Sequence, residues 1–229
     1  MIHRWLKFNQ LLFPQSCMLC ATAKGGELGI CAACLQDMPW HNAEQCPQCA
    51  LLAYDGQLCG NCLAAAPQFD ATTALLRYEH PLDNMLQRYK YGQSLTMANT
   101  FATLLTASIN TQPDIIIPMP LHPQRLQERG FNQSLEIARI ITQQLNIRLE
   151  INACKRIKLS PPQASLPLKQ RVKNMKGAFS CTTRLDGLRV ALLDDVMTTG
   201  ASLNALAKAV KSAGASHVEC WVVARTLPR

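Results

Sequence analysis

The chain has 229 residues, of which 48% are apolar and 17% charged, and it carries a formal charge of +8. That length holds one ordinary domain plus a small one, and that composition excludes a disordered chain. The longest apolar run, Ile115 to Leu121, contains two prolines and is far too short to cross a bilayer, so no membrane span is expected.

At the start of the chain Arg4 and Lys7 accompany an apolar stretch that Asn9 and Gln10 interrupt. This lacks the apolar core of a secretory signal and reads as a short amphipathic segment packed on the rest. Of the eleven cysteines, eight fall in four C-x-x-C pairs before residue 63. Without an export signal the expected compartment is the reducing cytoplasm, where thiols bind metal rather than pair as disulfides.

The four pairs are Cys17/Cys20, Cys31/Cys34, Cys46/Cys49 and Cys59/Cys62. Two intervening residues let both sulfurs of a pair point at one metal from a tight turn, and a second turn completes a tetrahedron. Sequential pairing joins 17, 20, 31 and 34 on one ion and 46, 49, 59 and 62 on the other; an interleaved cross-brace satisfies the same spacing. Zinc is the expected metal, with an iron–sulfur cluster as the other use of four thiolates. A closed four-thiolate shell gives two structural zinc ions rather than catalytic ones. Cys154, Cys181 and Cys220 are isolated and read as small core hydrophobes.

Leu63 to Phe69 reads as a linker, which sets the expected domains at 1–66 and 67–229. Beyond it the pattern alternates. Ala71–Tyr78 reads as a strand, and Leu82–Tyr91 and Thr96–Ile109 as helices broken at Gly92. Asp114–Pro118 is a short apolar strand, and Asn132–Asn146 an amphipathic helix with Asn132 as its N-cap. Leu149–Cys154 reads as the next strand and residues 155–176, polar, basic and proline-bearing, as a long functional loop. Arg189–Leu193 is a strand ending in Asp194-Asp195, Ser202–Ala213 a helix, and His217–Ala224 the last strand. The expected fold class is therefore α/β: a mainly parallel sheet flanked by helices, preceded by a small cysteine-rich module.

Charge is uneven along this order. Residues 123–176 carry eleven Lys/Arg against three Asp/Glu, whereas residues 1–76 carry three against five. A basic stripe of this kind suits a polyphosphate or a nucleic-acid backbone; a solvated basic surface is the plainer alternative.

The most informative stretch is Arg189 to Ser202, where an apolar strand ends in two carboxylates and a Thr-Thr-Gly-Ala-Ser loop opens a helix. Gly200 allows close backbone approach, and the amides and hydroxyls of Thr198, Thr199, Gly200, Ala201 and Ser202 suit a phosphate at a helix N-terminus. Asp194 and Asp195 repel phosphate; they suit ribose hydroxyls, or magnesium through water.

This stretch closely resembles the phosphoribosyl-pyrophosphate (PRPP) signature of type I phosphoribosyltransferases, in which two acids hold the ribose hydroxyls and the loop holds the 5-phosphate. The likeness extends further. The four cysteine pairs, Lys90-Tyr91-x-x-Ser94, Arg125-x-x-x-Arg129-Gly130-Phe131-Asn132-Gln133-Ser134, and Arg156 through Ser160, Gln163, Leu166, Arg171 and Asn174 to Gly177-Ala178-Phe179 together resemble the ComF family, which includes the GntX-type proteins. Ser160 departs from the Thr more usual there but keeps the hydroxyl.

The resemblance implies a type I phosphoribosyltransferase-like domain behind a double zinc ribbon, binding PRPP with magnesium. It also implies that Lys90, Arg125, Arg129, Arg156 and Arg171 meet pyrophosphate or nucleic acid, with 156–176 as a mobile hood. The implied role is natural transformation, handling incoming single-stranded DNA in the cytoplasm, with a competence helicase as a partner for the zinc module. The alternative is an active phosphoribosyltransferase acting on a nitrogen nucleophile. No acceptor-base pocket is legible after the phosphate loop, where Trp221 is the only large aromatic, so catalysis is left open.

Overall fold

The computed structural model describes residues 15–92, 95–159, 175 and 177–228. Five parallel strands form one sheet in the order β1-β7-β6-β2-β3: β1 Ala71–Arg77, β2 Ile115–Pro118, β3 Arg148–Leu149, β6 Arg189–Met197 and β7 His217–Arg225. Residues alternate between the sheet's faces, as the pleat requires. Ile115, Ile117, Val190, Leu192, Val218 and Val222 enter one apolar core, while Ile116, Ala191, Leu193, Trp221 and Val223 enter the other. Both faces are buried, which explains why these strands read as unbroken apolar runs.

Helices α3 (Leu82–Gly92), α4 (Leu95–Thr106) and α6 (Gln133–Leu145) cover the second face through Leu86, Tyr89, Phe101, Leu105, Ile137 and Ile141. Helix α7 (Ala201–Ser212) covers the first through Leu203, Leu206 and Val210. Short helix α5 (Pro123–Arg129) opens with Pro123 behind the His122 cap and closes at Gly130 in the left-handed region, φ 77°. The cap expected for α6 is present: Asn132 Oδ1 accepts from the Leu135 amide at 3.3 Å.

Leu149–Cys154 is not one strand. The sheet strand ends at Leu149, the Glu150 carboxylate accepts from the Asn152 amide at 3.3 Å, and the chain bends away. Cys154–Arg156 (β4) then pairs antiparallel with Phe179–Cys181 (β5) in a separate ribbon packed near α7. Strand β6 runs two residues past the acid pair, to Met197. Of the hood segment, residues 160–174 and 176 lie outside the described residues, as does the amphipathic start.

Among the described residues the cysteine-rich module contains two single-turn helices, α1 (Ala32–Gln36) and α2 (Gly60–Ala64). It is attached at the β1 edge. Trp40 bridges Leu76 antiparallel; the His41 amide donates to Leu75 O at 3.1 Å and the Arg77 amide to Pro39 O at 2.8 Å. This covers a sheet edge that would otherwise expose unpaired amides. The module straddles that edge: Cys17 and Cys31 join the core with Leu82 and Tyr89, while Cys46, Cys49 and Cys62 join the core with Phe69 and Leu206. Among the described residues no helix is long and apolar enough to cross a membrane.

Candidate functional site

The eight ribbon cysteines gather sequentially, in two tetrads: Cys17, Cys20, Cys31 and Cys34, and Cys46, Cys49, Cys59 and Cys62. The cross-brace is thereby excluded. Within each, all ligand atoms lie within 4.8 Å of one another; Cys20 and Cys31 sulfurs are 3.7 Å apart, and Cys49 and Cys59 sulfurs 3.5 Å. A tetrahedron with Zn–S bonds of about 2.3 Å has edges of about 3.8 Å, so the donor set fits zinc. The turns are held locally. Ala21 and Ala50 sit at φ 60° and 54° and donate their amides to Cys17 O and Cys46 O, at 2.8 and 2.9 Å.

Backbone amides also stabilise the leading thiolate of each tetrad. Against the upward pull of burial, amides including Cys20, Cys31 and Leu19 bring Cys17 down to about 6, and those of Cys59, Cys49 and Gln48 bring Cys46 down to about 7. The remaining shifted thiols move the other way: Cys34 is pushed up to about 12 by hydrogen bonds from its neighbouring thiols, and Cys62 is raised by burial and the same kind of neighbour. Four such thiols close together cannot all ionise without a cation among them.

The second centre lies at the carboxyl edge of the parallel sheet, where open α/β folds present their ligand sites. Asp194 Oδ1 accepts from Ser134 Oγ at 3.1 Å and from the Asp195 amide at 2.9 Å. Burial, reinforced by the adjacent Asp195 charge, raises the Asp194 carboxyl to about 7. Asp195 Oδ2 is ion-paired with Lys90 Nζ at 2.9 Å. Burial lowers the Lys90 ammonium, but the Asp195 charge and hydrogen bond, together with the Asp194 charge, outweigh it and leave the pKa raised. Lys90, expected to meet pyrophosphate or nucleic acid, is paired here with Asp195.

After β6 the chain turns through Thr198 and Thr199 to Gly200, the N-cap of α7, at φ 76°. A Cβ there would sit 2.9 Å from Met197 Cε and 3.8 Å from the Phe69 ring, in a backbone region that disfavours side chains. Thr199 Oγ1 accepts from the Ala201 amide at 3.3 Å, and Ser202 Oγ contacts Met175 Sδ at 3.5 Å. A helix of twelve residues therefore opens at the end of the acid-bearing strand with its first amides along this turn.

Basic groups surround the same edge. Arg129 Nη1 donates to Gln133 Oε1 at 3.0 Å, and Gln133 Nε2 reaches Lys90 O at 3.4 Å. Asn132 Nδ2 holds the 118–121 turn through Met119 O at 3.0 Å. Arg125 is bonded to Glu128 within α5 at 2.7 Å. Arg156 lies 5.6 Å over the Phe179 ring; desolvation, with repulsion from Arg125 and Arg129, lowers its pKa although Asp194 opposes this. Lys90, Arg125, Arg129 and Arg156 are thus within electrostatic reach of the acid pair or of one another. Arg171 lies outside the described residues.

Sequence reasoning missed Ser134 and Gln133 as parts of this edge, although both stand in the motif around Arg129. It also missed Arg225, the last residue of β7. Arg225 is 3% exposed and donates to four carbonyls: Cys49 O at 2.9 Å, Met197 O and Thr226 O at 3.0 Å, and Thr198 O. A base four residues from the chain's end gives no sequence signal of such burial.

Comparison with known proteins agrees with both modules. The double zinc ribbon domain matches residues 8–63 and the phosphoribosyl transferase domain residues 132–227. The two tetrads are therefore structural zinc sites, and the parallel sheet with its flanking helices is of phosphoribosyltransferase type. The chain is 34% identical over 213 residues to Competence protein F of Haemophilus influenzae, covering 86% of this chain and 90% of that protein. It is 30% identical over 227 residues to DNA utilization protein YhgH of Escherichia coli, covering 95% and 100%. To Competence protein ComFC of Streptococcus pneumoniae it is 23% identical over 202 residues, covering 86% and 87%.

Two outcomes are expected. Cys17→Ser or Cys46→Ser lowers zinc from two ions to about one per chain by emission spectrometry; full content in both variants refutes the ligand sets. Asp194 carries a raised carboxyl pKa, so the folded state holds its proton more tightly than the unfolded one, and stability falls as pH rises from about 4 to about 7. Asp194→Asn should therefore be more stable than the parent at pH 8, by on the order of 2 kcal/mol, with the gap closing toward pH 4. Denaturant melts across that range check it, and a pH-independent difference contradicts it.

Proposed function

This chain belongs to the ComF/GntX family, and on that premise we propose that it binds PRPP, or a related ribose phosphate, and handles incoming single-stranded DNA in the cytoplasm during DNA uptake. The observation that carries the ligand half is the sequence of parts along one strand end: Asp194 and Asp195, then left-handed Gly200, then the first amides of α7. In this reading the 198–202 amides and hydroxyls take the 5-phosphate and the acid pair takes the ribose diol. Asp195 exchanges its Lys90 partner for hydroxyl donors as the sugar enters. Arg125, Arg129 and Arg156 face the pyrophosphate, for which guanidinium forks are suited; magnesium accompanies it and neutralises part of its charge.

The DNA half rests on the relatives, named for competence and for DNA utilization, and on the charge of residues 123–176. A nucleic-acid strand repeats the sugar and phosphate groups that the same edge is suited to hold. Catalysis is less well supported. Trp221, the large aromatic of the last strand, is fully buried and unavailable for stacking on a base. The zinc module, with exposed Leu52, Tyr54, Leu58 and Leu63, offers a surface for a protein partner such as a competence helicase.

Calorimetry with PRPP and magnesium tests the ligand site. Asp194→Ala combined with Asp195→Ala should abolish binding while circular dichroism stays native, and undiminished affinity counts against the site. Arg125→Ala or Arg129→Ala, and likewise Arg171→Ala, should weaken single-stranded DNA binding about tenfold and flatten its salt dependence. Pyrophosphate release on adding nucleobases would make the protein a phosphoribosyltransferase instead.

A further inference from the structure

Arg225 stands between the two centres, with its guanidinium beside the Cys49 side chain and within electrostatic reach of Cys59 and Cys62. Its Nε donates to Cys49 O, the backbone of a knuckle that holds the second tetrad. Its Nη1 donates to Met197 O, Thr198 O and Thr226 O, so the same guanidinium grips the turn that leads into Gly200. Met197 O also accepts from the Thr226 amide at 3.0 Å, whereas Cys49 O, in a buried bond, would lose its donor without the arginine.

Three neighbouring hydrogen bonds run in parallel. Gln48 Nε2 donates to Phe69 O at 3.0 Å, and Thr72 bonds to both Pro47 O and Gln48 O, at 3.0 and 2.6 Å. The Phe69 ring in turn lies against Gly200. The knuckle at 46–49 is thus the back wall of the phosphate turn, whereas Cys17 and Cys31 of the first tetrad pack in the core on the other side of the sheet.

We propose that Arg225 is a positioning residue that couples zinc at the second tetrad to the 198–202 turn, so that metal occupancy and ribose-phosphate binding strengthen each other. Zinc fixes the Cys46–Cys49 knuckle and with it Cys49 O; the planar fork transmits that position to the carbonyls of Met197 and Thr198. Linkage between two binding equilibria is reciprocal, so a ligand that orders the turn must also slow the loss of that one zinc ion. A lysine keeps the charge but cannot reach both walls with separate donors at fixed angles. The coupling rests on the ligand reading above only for its second half.

The test uses the full zinc-loaded chain and two measurements. Hydrogen exchange at residues 198–202 should be about tenfold faster in Arg225→Lys, with the amides of α6 unchanged; unchanged exchange at 198–202 overturns the coupling. In the parent protein, saturating ribose 5-phosphate should slow transfer of one of the two zinc ions to a chromogenic chelator about tenfold, and Arg225→Lys should remove that protection. Equal protection in the variant also overturns the coupling. A loosened turn in the variant, together with no effect of ribose 5-phosphate on the parent, upholds Arg225 as the link and refutes the ligand reading instead. The parent measurement stands even if the variant folds poorly.

Discussion

Two carboxylates on adjacent residues of a buried strand are an electrostatic problem, and the chemistry of this molecule is arranged around it. Asp194 and Asp195 sit where β6 leaves the core, with the low-dielectric sheet behind them and little water around them. Charging both there is costly, which is why Asp194 is driven toward neutrality while Asp195 is matched by Lys90. A structural role would have been served more cheaply by apolar residues like Leu192 and Leu193 just before them. Such an unfavourable pair is the kind of arrangement that functional sites tolerate and purely structural ones avoid.

Much of this was legible from residues alone, because it depends on local chemistry. C-x-x-C spacing determines a metal knuckle whatever surrounds it, and the Asp-Asp-x-x-Thr-Thr-Gly-Ala-Ser order determines a strand end, a left-handed turn and a helix start. The sheet's two-sided burial was legible for the same reason, in apolar runs such as Ile115 to Ile117. The break after Leu149 was not: Ile151 and Ala153 continue an alternating pattern, and only the side-chain bond from Glu150 back to the Asn152 amide shows the chain leaving the sheet.

Nor were the long-range partners legible. Lys90 carries a charge that suits a phosphate equally well, and only packing of α3 against the α6 start, through Tyr89 Oη to Gln133 O at 3.0 Å, aims it at Asp195. Phe69 looked like part of a linker, yet it is 2% exposed and forms a wall of the turn. Pairing of the cysteines was undetermined for a related reason: both arrangements satisfy the spacing, and the choice is made by the module's attachment along β1, which sends one tetrad to each side of the sheet.

That attachment changes what the zinc ribbon is. A module of this size has too little core to hold itself together, and metal supplies what burial cannot. Here it also borrows the larger domain's surface, closing the β1 edge and lending Cys46, Cys49 and Cys62 to a shared core. The exchange runs both ways, because the 198–202 turn is backed by contacts that reach the ribbon. Behind it stand Arg225, Phe69 and the Cys49 carbonyl, and two of those three are anchored to the ribbon. A change that frees the ribbon therefore removes one side of the turn, and the two centres are better understood as one structure than as two independent modules.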